Sequence, residues 1–230
     1  QIEIKPITDN YYKQKAFIND MSHEIRTPLA IIKGNLENVL ATPDASVSRV
    51  SDELNACLDE VDYVTTMSTG LLNIVRGESK SIKKEGIMSE AVTEVVDLFA
   101  DVAALGNKSL IACVEYCDIQ VDKEKIKQLL TALLDNAIKY TRDGDRITVK
   151  LKNAKEGCLL SVADTGIGVE KGELDKIFDR FYRAENAKEI NGTGLGLAVA
   201  KSIVESMNGT IKAVQNIPEG LEIDVAIKRG

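Results

Sequence analysis

Between Val47 and Val75 the apolar residues fall at Val47, Val50, Leu54, Cys57, Val61, Val64, Leu71 and Val75, steps of three and four interrupted only by Ser68. Such a heptad seam predicts a helix that must lay one stripe against other helices. A second amphipathic stretch precedes it. Ile18, Met21, Ile25, Leu29, Ile32, Leu36 and Val39 recur three or four apart, which predicts a helix from near Asp9 to about Ala41. Thr42-Pro43-Asp44 reads as a turn, and Ser46 as the N-cap of the seam helix. Two antiparallel helices on a short connection make a hairpin, which alone cannot bury two complete stripes. Pairing with a second copy as a four-helix bundle resolves this, so the pattern predicts a homodimer. The competing expectation packs the stripes on the domain downstream.

The single histidine, His23, lies in this first helix, within Ser22-His23-Glu24-Ile25-Arg26-Thr27-Pro28. It falls between Met21 and Ile25, about 200° around the helix from each, and so points into water. Neutral imidazole dominates at neutral pH and keeps a nitrogen lone pair for attack on an electrophile. Glu24 stands beside it, where a carboxylate can hold the other ring N–H. Thr27 lies one turn on, where a hydroxyl can orient a water beside anything attached to His23. Pro28 withholds a backbone N–H and predicts a kink. The plain alternative is an exposed surface histidine.

The 230 residues fit two modest domains, and the net charge of −7 argues against nucleic acid as a partner, because phosphate backbones attract clustered Lys and Arg. Cys57, Cys113, Cys117 and Cys158 form no C-x-x-C pair and have one histidine to share, so neither a zinc site nor a disulfide framework is expected. Reduced thiols in a cytoplasmic setting fit better. No apolar run reaches the length of about 18 residues that a membrane helix needs. The chain begins at Gln1, so we expect a soluble piece of a longer protein with a membrane anchor upstream.

Gly77 to Lys84 mixes glycine, serine and lysine and predicts a hinge, which divides the chain into a helical hairpin (1–76), a hinge (77–86) and a second domain (87–230). There helices are expected from Glu90 to Leu105, from an Asp122 cap to Tyr140, and from Leu195 to Met207. Strands are expected at Ser109–Glu115, Arg146–Leu151, Leu159–Ala163, Thr210–Val214 and Leu221–Ile227. This is an α+β chain, its second domain a sheet covered by helices on one face.

Certain motifs of that domain suit a nucleotide. Asn136 and Lys139, three apart on one helix, offer an amide oxygen for Mg²⁺ and a cation for phosphate. Asp164-Thr165-Gly166-Ile167-Gly168 follows a strand; its aspartate can accept from an exocyclic amine such as that of adenine, and Gly166 and Gly168 let backbone approach a ring, although a tight turn has the same spelling. Gly192-Thr193-Gly194-Leu195-Gly196-Leu197 opens a helix, and free N–H groups of a glycine loop at a helix start suit phosphate oxygens.

In this order the motifs resemble the catalytic core of a two-component sensor histidine kinase over nearly the whole chain. Phe17 to Leu29 is similar to the H box, Leu133 to Thr141 to the N box, Asp164 to Gly168 and Gly192 to Leu197 to the glycine boxes, and Ile177 to Arg183 to the F box. The resemblance implies a dimeric bundle followed by an α/β sandwich of the Bergerat (GHKL) ATPase type, shared with type II topoisomerases and mismatch-repair ATPases. It implies ATP and Mg²⁺ as cofactors and a response regulator receiver domain as partner. By position, His23 would accept the γ-phosphoryl group with Glu24 as its base or orienting acceptor, and Thr27 would position water for regulator dephosphorylation. Asn136 would hold Mg²⁺, Lys139 and Arg183 would contact phosphates, Tyr140 would flank the nucleotide and Asp164 would read adenine. Val169 to Asn191 would form a lid, fastened by Phe178 and Phe181 and loose between Ala184 and Glu189.

The chain departs from the family in two places. Ala132 stands where an asparagine is common, which leaves open a scaffold that binds nucleotide without transferring phosphate. Glu219-Gly220-Leu221-Glu222 stands where a G-T pair is usual, a change expected to be structural only. A chaperone- or topoisomerase-type ATPase is the remaining alternative, against which the hairpin counts.

Overall fold

The periodicity of the first third produces helices α1, over residues 25–41, and α2, Val47–Arg76. The structure, a computed structural model, describes residues 22, 25–42, 46–76, 85–190 and 192–229. The expected sites His23 and Glu24, residue Asn191 and the hinge residues 77–84 lie outside the described residues. The chain divides into two units, Gln1–Thr69 and Gly70–Gly230. Among the described residues no helix is long and apolar enough to cross a membrane.

In the first unit Ser46 caps α2, its Oγ accepting from Arg49 N at 3.3 Å. Cys57 Sγ lies 3.7 Å from the carbonyl of Ile32. These residues stand at similar distances either side of the turn, as an antiparallel hairpin requires. The heptad seam splits in two. Val50, Cys57 and Val64 are shielded, Cys57 to 8% exposure, whereas Val47, Leu54 and Val61 remain 84%, 42% and 45% exposed. On α1, Pro28 is buried and Ile25, Ile32 and Val39 are half-buried, while Leu29, Leu36 and Leu40 are exposed. Among the described residues the hairpin therefore covers about half of each stripe.

The second unit contains β1 (Glu85–Ile87), α3 (Met88–Leu105), β2 (Ser109–Val114), β3 (Gln120–Asp122), α4 (Lys123–Tyr140), β4 (Arg146–Ala154), β5 (Gly157–Asp164), α5 (Gly196–Ser206), β6 (Thr210–Gln215) and β7 (Leu221–Lys228). A five-stranded sheet runs β2-β4-β5-β7-β6, with β2 parallel to β4 and the remaining pairs antiparallel. Sequence had not indicated β1 and β3, which pair antiparallel as a separate ribbon; Glu85 and Gly86, at the end of the expected hinge, belong to it. Ile147, Val149 and Leu151 of β4 are buried between exposed Arg146, Lys150 and Lys152, and Leu221, Ile223, Val225 and Ile227 of β7 are buried in the same alternation. Their shared face packs on Ile126, Leu129, Leu130, Leu133 and Leu134 of α4, with α3 and α5 completing one hydrophobic core. That is the one-sided α/β sandwich the sequence predicts.

Candidate functional site

Among the described residues, those expected to meet a nucleotide gather around the C-terminal turn of α4. Asp122 starts that helix, its Oδ1 accepting from Glu124 N at 3.1 Å. Thr141 ends it, its hydroxyl donating to the carbonyls of Ala137 (2.8 Å) and Ile138 (3.0 Å). The last turn presents Asn136, half-buried, then Lys139 and Tyr140, with Lys139 Nζ 5.5 Å from the Tyr140 ring centroid.

The loop after β5 sits against this helix end. Ile167 N donates to Tyr140 O at 3.1 Å, and a Cβ on Gly166 would fall 2.1 Å from the same carbonyl oxygen. Gly166 is therefore required by contact, and Gly168 by its left-handed φ of 61°. The second glycine loop closes from the other side. A Cβ on Gly192 would meet Lys139 Nζ at 2.0 Å, and Gly194, at φ 65°, lies against the backbone of Phe181, whose N–H donates to Gly194 O at 3.0 Å. Half-buried Thr193 accepts from Leu195 N at 3.4 Å; Leu195 precedes α5, which opens with Gly196 and buried Leu197. A Cβ on Gly196 would lie 3.9 Å from Ala132 O, so the α5 start abuts α4 at the position where the family commonly has asparagine. The helix end and both glycine loops thus meet, as the motifs predict.

Asp164 ends β5 at 5% exposure. Its Oδ1 accepts from Gly166 N at 2.9 Å and from Leu221 N at 3.3 Å, which leaves Oδ2 for a ligand. Burial pushes its pKa up to about 6, against the pull of those N–H groups. Gly220 and Leu221 meet Asp164 through backbone alone, so the leucine at the place of the usual threonine leaves that contact intact. Gly220, at φ 116°, is needed because a Cβ there would stand 1.9 Å from Asp164 O. Asn216 Nδ2 also donates to that carbonyl, at 2.7 Å. No motif announces these residues, since they reach Asp164 only because β7 pairs with β5.

The electrostatics favour an anion. Lys139 is held below its usual pKa, first by desolvation and then by the charge of Arg183, with Asp135 opposing. Burial pushes Tyr140 up, while the charge and a hydrogen bond of Arg183 pull it down. Two neighbouring cations that raise each other's cost are relieved by a polyanion.

Arg183 has a further set of contacts. Its Nη2 donates to the carbonyls of Ala187 (2.6 Å) and Lys188 (2.7 Å) and to that of Ile190, while its buried Nε has no partner. The stretch from Ala184 to Glu189, expected to be loose, is therefore clasped, with Ala184 and Ala187 buried. Phe178 is a core aromatic, with Lys201 Nζ 6.0 Å from its ring centroid, whereas half-buried Phe181 holds the second glycine loop through its backbone at φ 62°. Thr27 is exposed on α1.

Among the described residues no group of three or more His, Cys, Asp or Glu could hold a metal. A single amide oxygen from Asn136 still suits Mg²⁺, which keeps its waters and takes other ligands from substrate phosphates.

The one-sided sandwich, the aspartate at a strand end and the two glycine loops over a cationic helix end define an ATP-binding domain; residues 121–230 match the family described as histidine kinase-, DNA gyrase B-, and HSP90-like ATPase. Residues 13–80 match the His Kinase A (phospho-acceptor) domain. The chain belongs to the sensor histidine kinases. It is 34% identical over 242 residues to the sensor protein CiaH of Streptococcus pneumoniae, a match covering 99% of this chain and 53% of CiaH. It is 31% identical over 214 residues to the sensor protein SrrB of Staphylococcus aureus, covering 90% of this chain and 36% of SrrB. The chain thus spans about half or less of the curated relatives it matches. In fold it is similar to the histidine kinase AdeS of Acinetobacter baumannii, with TM-score 0.70, 23% identity and coverage of 90% of this chain and 98% of that one. It is also similar to the histidine kinase ThkA, solved in complex with the response regulator TrrA, with TM-score 0.75, 21% identity and coverage of 99% and 65%.

Proposed function

We propose that this chain is the autophosphorylating core of a two-component sensor, a homodimer that moves the γ-phosphoryl group of ATP to His23 and then to an aspartate of a response regulator. The observation that carries the reading is the convergence of buried Asp164, both glycine loops and the Lys139–Arg183 pair on one helix end. Asp164 Oδ2 accepts the adenine amine, Lys139 and Arg183 neutralise phosphate oxygens, and Tyr140 flanks the nucleotide. The N–H groups of Gly192, Thr193, Gly194, Gly196 and Leu197 cradle the phosphates, while Leu195 N–H holds the loop through the Thr193 hydroxyl. Asn136 would hold Mg²⁺ through its amide oxygen, and the ion would supply charge screening to the phosphates.

In the transfer a His23 nitrogen attacks the γ-phosphorus, the bond to the bridging oxygen breaks with ADP as leaving group, and Glu24 holds the proton on the other ring nitrogen. The hairpin (1–76) and the ATPase domain, which begins with β1 at Glu85, must approach each other for this step through residues 77–84. Dimerisation follows from the exposed halves of the stripes on α1 and α2. The ThkA–TrrA complex supports a receiver domain as acceptor. Thr27, exposed one turn from His23, orients the water that dephosphorylates the regulator. We place this core in the cytoplasm as one part of a longer, membrane-anchored sensor.

A chase tests the sequence of steps. Chain labelled from γ-labelled ATP is freed of nucleotide and mixed with its receiver domain; the label is expected to leave His23, mapped by fragment mass spectrometry, and to appear on the receiver. Label mapped to any residue but His23 overturns the reading. Thr27→Ala is expected to slow regulator dephosphorylation more than autophosphorylation, and equal losses would remove the water-positioning role.

A further inference from the structure

The turn Glu185–Ala187 is held on one side by Arg183, as described, and on the other by a side chain of its own. Asn186 reaches back across the lid, and its Nδ2 donates to two successive carbonyls, Ile167 O at 3.2 Å and Gly168 O at 3.0 Å. Both belong to the loop that Asp164 opens. The other fastenings of this loop come from the body of the domain: Tyr140 O accepts from Ile167 N, Asn216 donates to Asp164 O, and Gln215 Nε2 donates to Val169 O at 3.2 Å. Asn186 alone among these partners comes from the lid turn.

We propose that Asn186 is a positioning residue that fastens the lid turn to the base-reading loop, so that adenine binding at Asp164 and ordering of residues 184–190 are one coupled event. The inference rests on the adenine-nucleotide reading of Asp164. A terminal amide suits the task because one planar –NH₂ carries two donors, one for each carbonyl. An aspartate in its place would turn carboxylate oxygens toward those carbonyls. When the base fixes the loop, it fixes both acceptors of Asn186 and lowers the entropy cost of holding the turn. By reciprocity an ordered turn favours the base. The turn also carries Ala187 and leads to Lys188 and Ile190, whose carbonyls Arg183 holds, so base occupancy reaches through Asn186 to the residue assigned to phosphate.

The test combines calorimetric titration of the whole chain with ADP and amide hydrogen exchange over residues 184–190, for wild type, Asn186→Asp and Asn186→Gln. Wild type is expected to bind ADP and to gain protection at Ala187 and Ile190, whose N–H groups bond within the turn. Asn186→Asp is expected to unfold at the wild-type temperature without ligand, to bind ADP about three- to tenfold more weakly, and to lose the ligand-induced protection. Asn186→Gln, which keeps the donors, recovers part of it. Wild-type affinity and protection in Asn186→Asp overturn the inference. Wild type that binds no adenine nucleotide overturns the Asp164 reading, and this coupling with it. Should Asn186→Asp fail to fold, Asn186→Ser is judged by the same two readouts.

Discussion

Replacing Asp164 by asparagine should make the ATPase domain more stable and useless for ATP at once. The carboxyl is 5% exposed, and burial raises its pKa from 3.8 to about 6. An acid whose folded pKa is raised opposes folding wherever it is ionised. At pH 8 the folded chain carries the anion at a cost of about 3 kcal/mol relative to the unfolded chain. As pH falls through 6 toward 4, the folded state takes up a proton that the unfolded chain does not, and the cost disappears. Asparagine keeps a carbonyl oxygen for the N–H groups of Gly166 and Leu221 but never ionises. Its amide must still be desolvated, at about 1 kcal/mol or more. Asp164→Asn is therefore expected to gain about 1–2 kcal/mol at pH 8, a rise of a few degrees in Tm, and to be about 1 kcal/mol less stable than wild type near pH 4, where the amide's cost remains and the carboxylate's has gone. Paired urea titrations of both proteins from pH 4 to 8 read this difference directly, because all other carboxylates cancel. Calorimetry with ATP should show binding lost. A variant less stable than wild type at pH 8, or a difference that does not change with pH, would mean that Asp164 carries no buried charge at a cost.

Other outcomes follow from the same contacts. ATP affinity of the wild-type chain should fall about tenfold per pH unit below pH 6, because only the ionised Asp164 accepts the adenine amine at full strength; calorimetry at pH 5 and 7.5 checks this. Gly166→Ala places a Cβ 2.1 Å from Tyr140 O and should cost about 1–3 kcal/mol in chemical unfolding while weakening nucleotide binding. Leu54→Asp with Val61→Asp, on the exposed half of the α2 seam, should convert a dimer to a monomer in analytical ultracentrifugation.

Helix α4 was legible from Asp122 to Tyr140 because its signals are local: a capping aspartate, a 3.6-residue apolar stripe and a polar end. The same holds for α5, and for the main-sheet strands to within a few residues. β4 and β5 run longer than their alternation suggests because they form a hairpin, pairing as far as Ala154 with Gly157. β1 and β3 carry three residues each, too few for a period, and exist only through each other. At the site the motif residues came together, since each motif shapes its own loop. The roles of Leu221, Asn216 and Asn186 were invisible, because they depend on which strands and turns reach Asp164 or the loop behind it. The packing of Ala184 and Ala187 was missed for a related reason: small residues in a charged stretch give no signal until Arg183 folds the stretch around itself.

The most direct measurement on the central claim is incubation of the chain with Mg²⁺ and γ-labelled ATP beside His23→Gln, followed by acid treatment. Acid-labile label is expected on the wild-type chain and none on His23→Gln, with ATP binding equal in the two. Equal labelling of both proteins, or none on a wild-type chain that binds ATP, would contradict that claim.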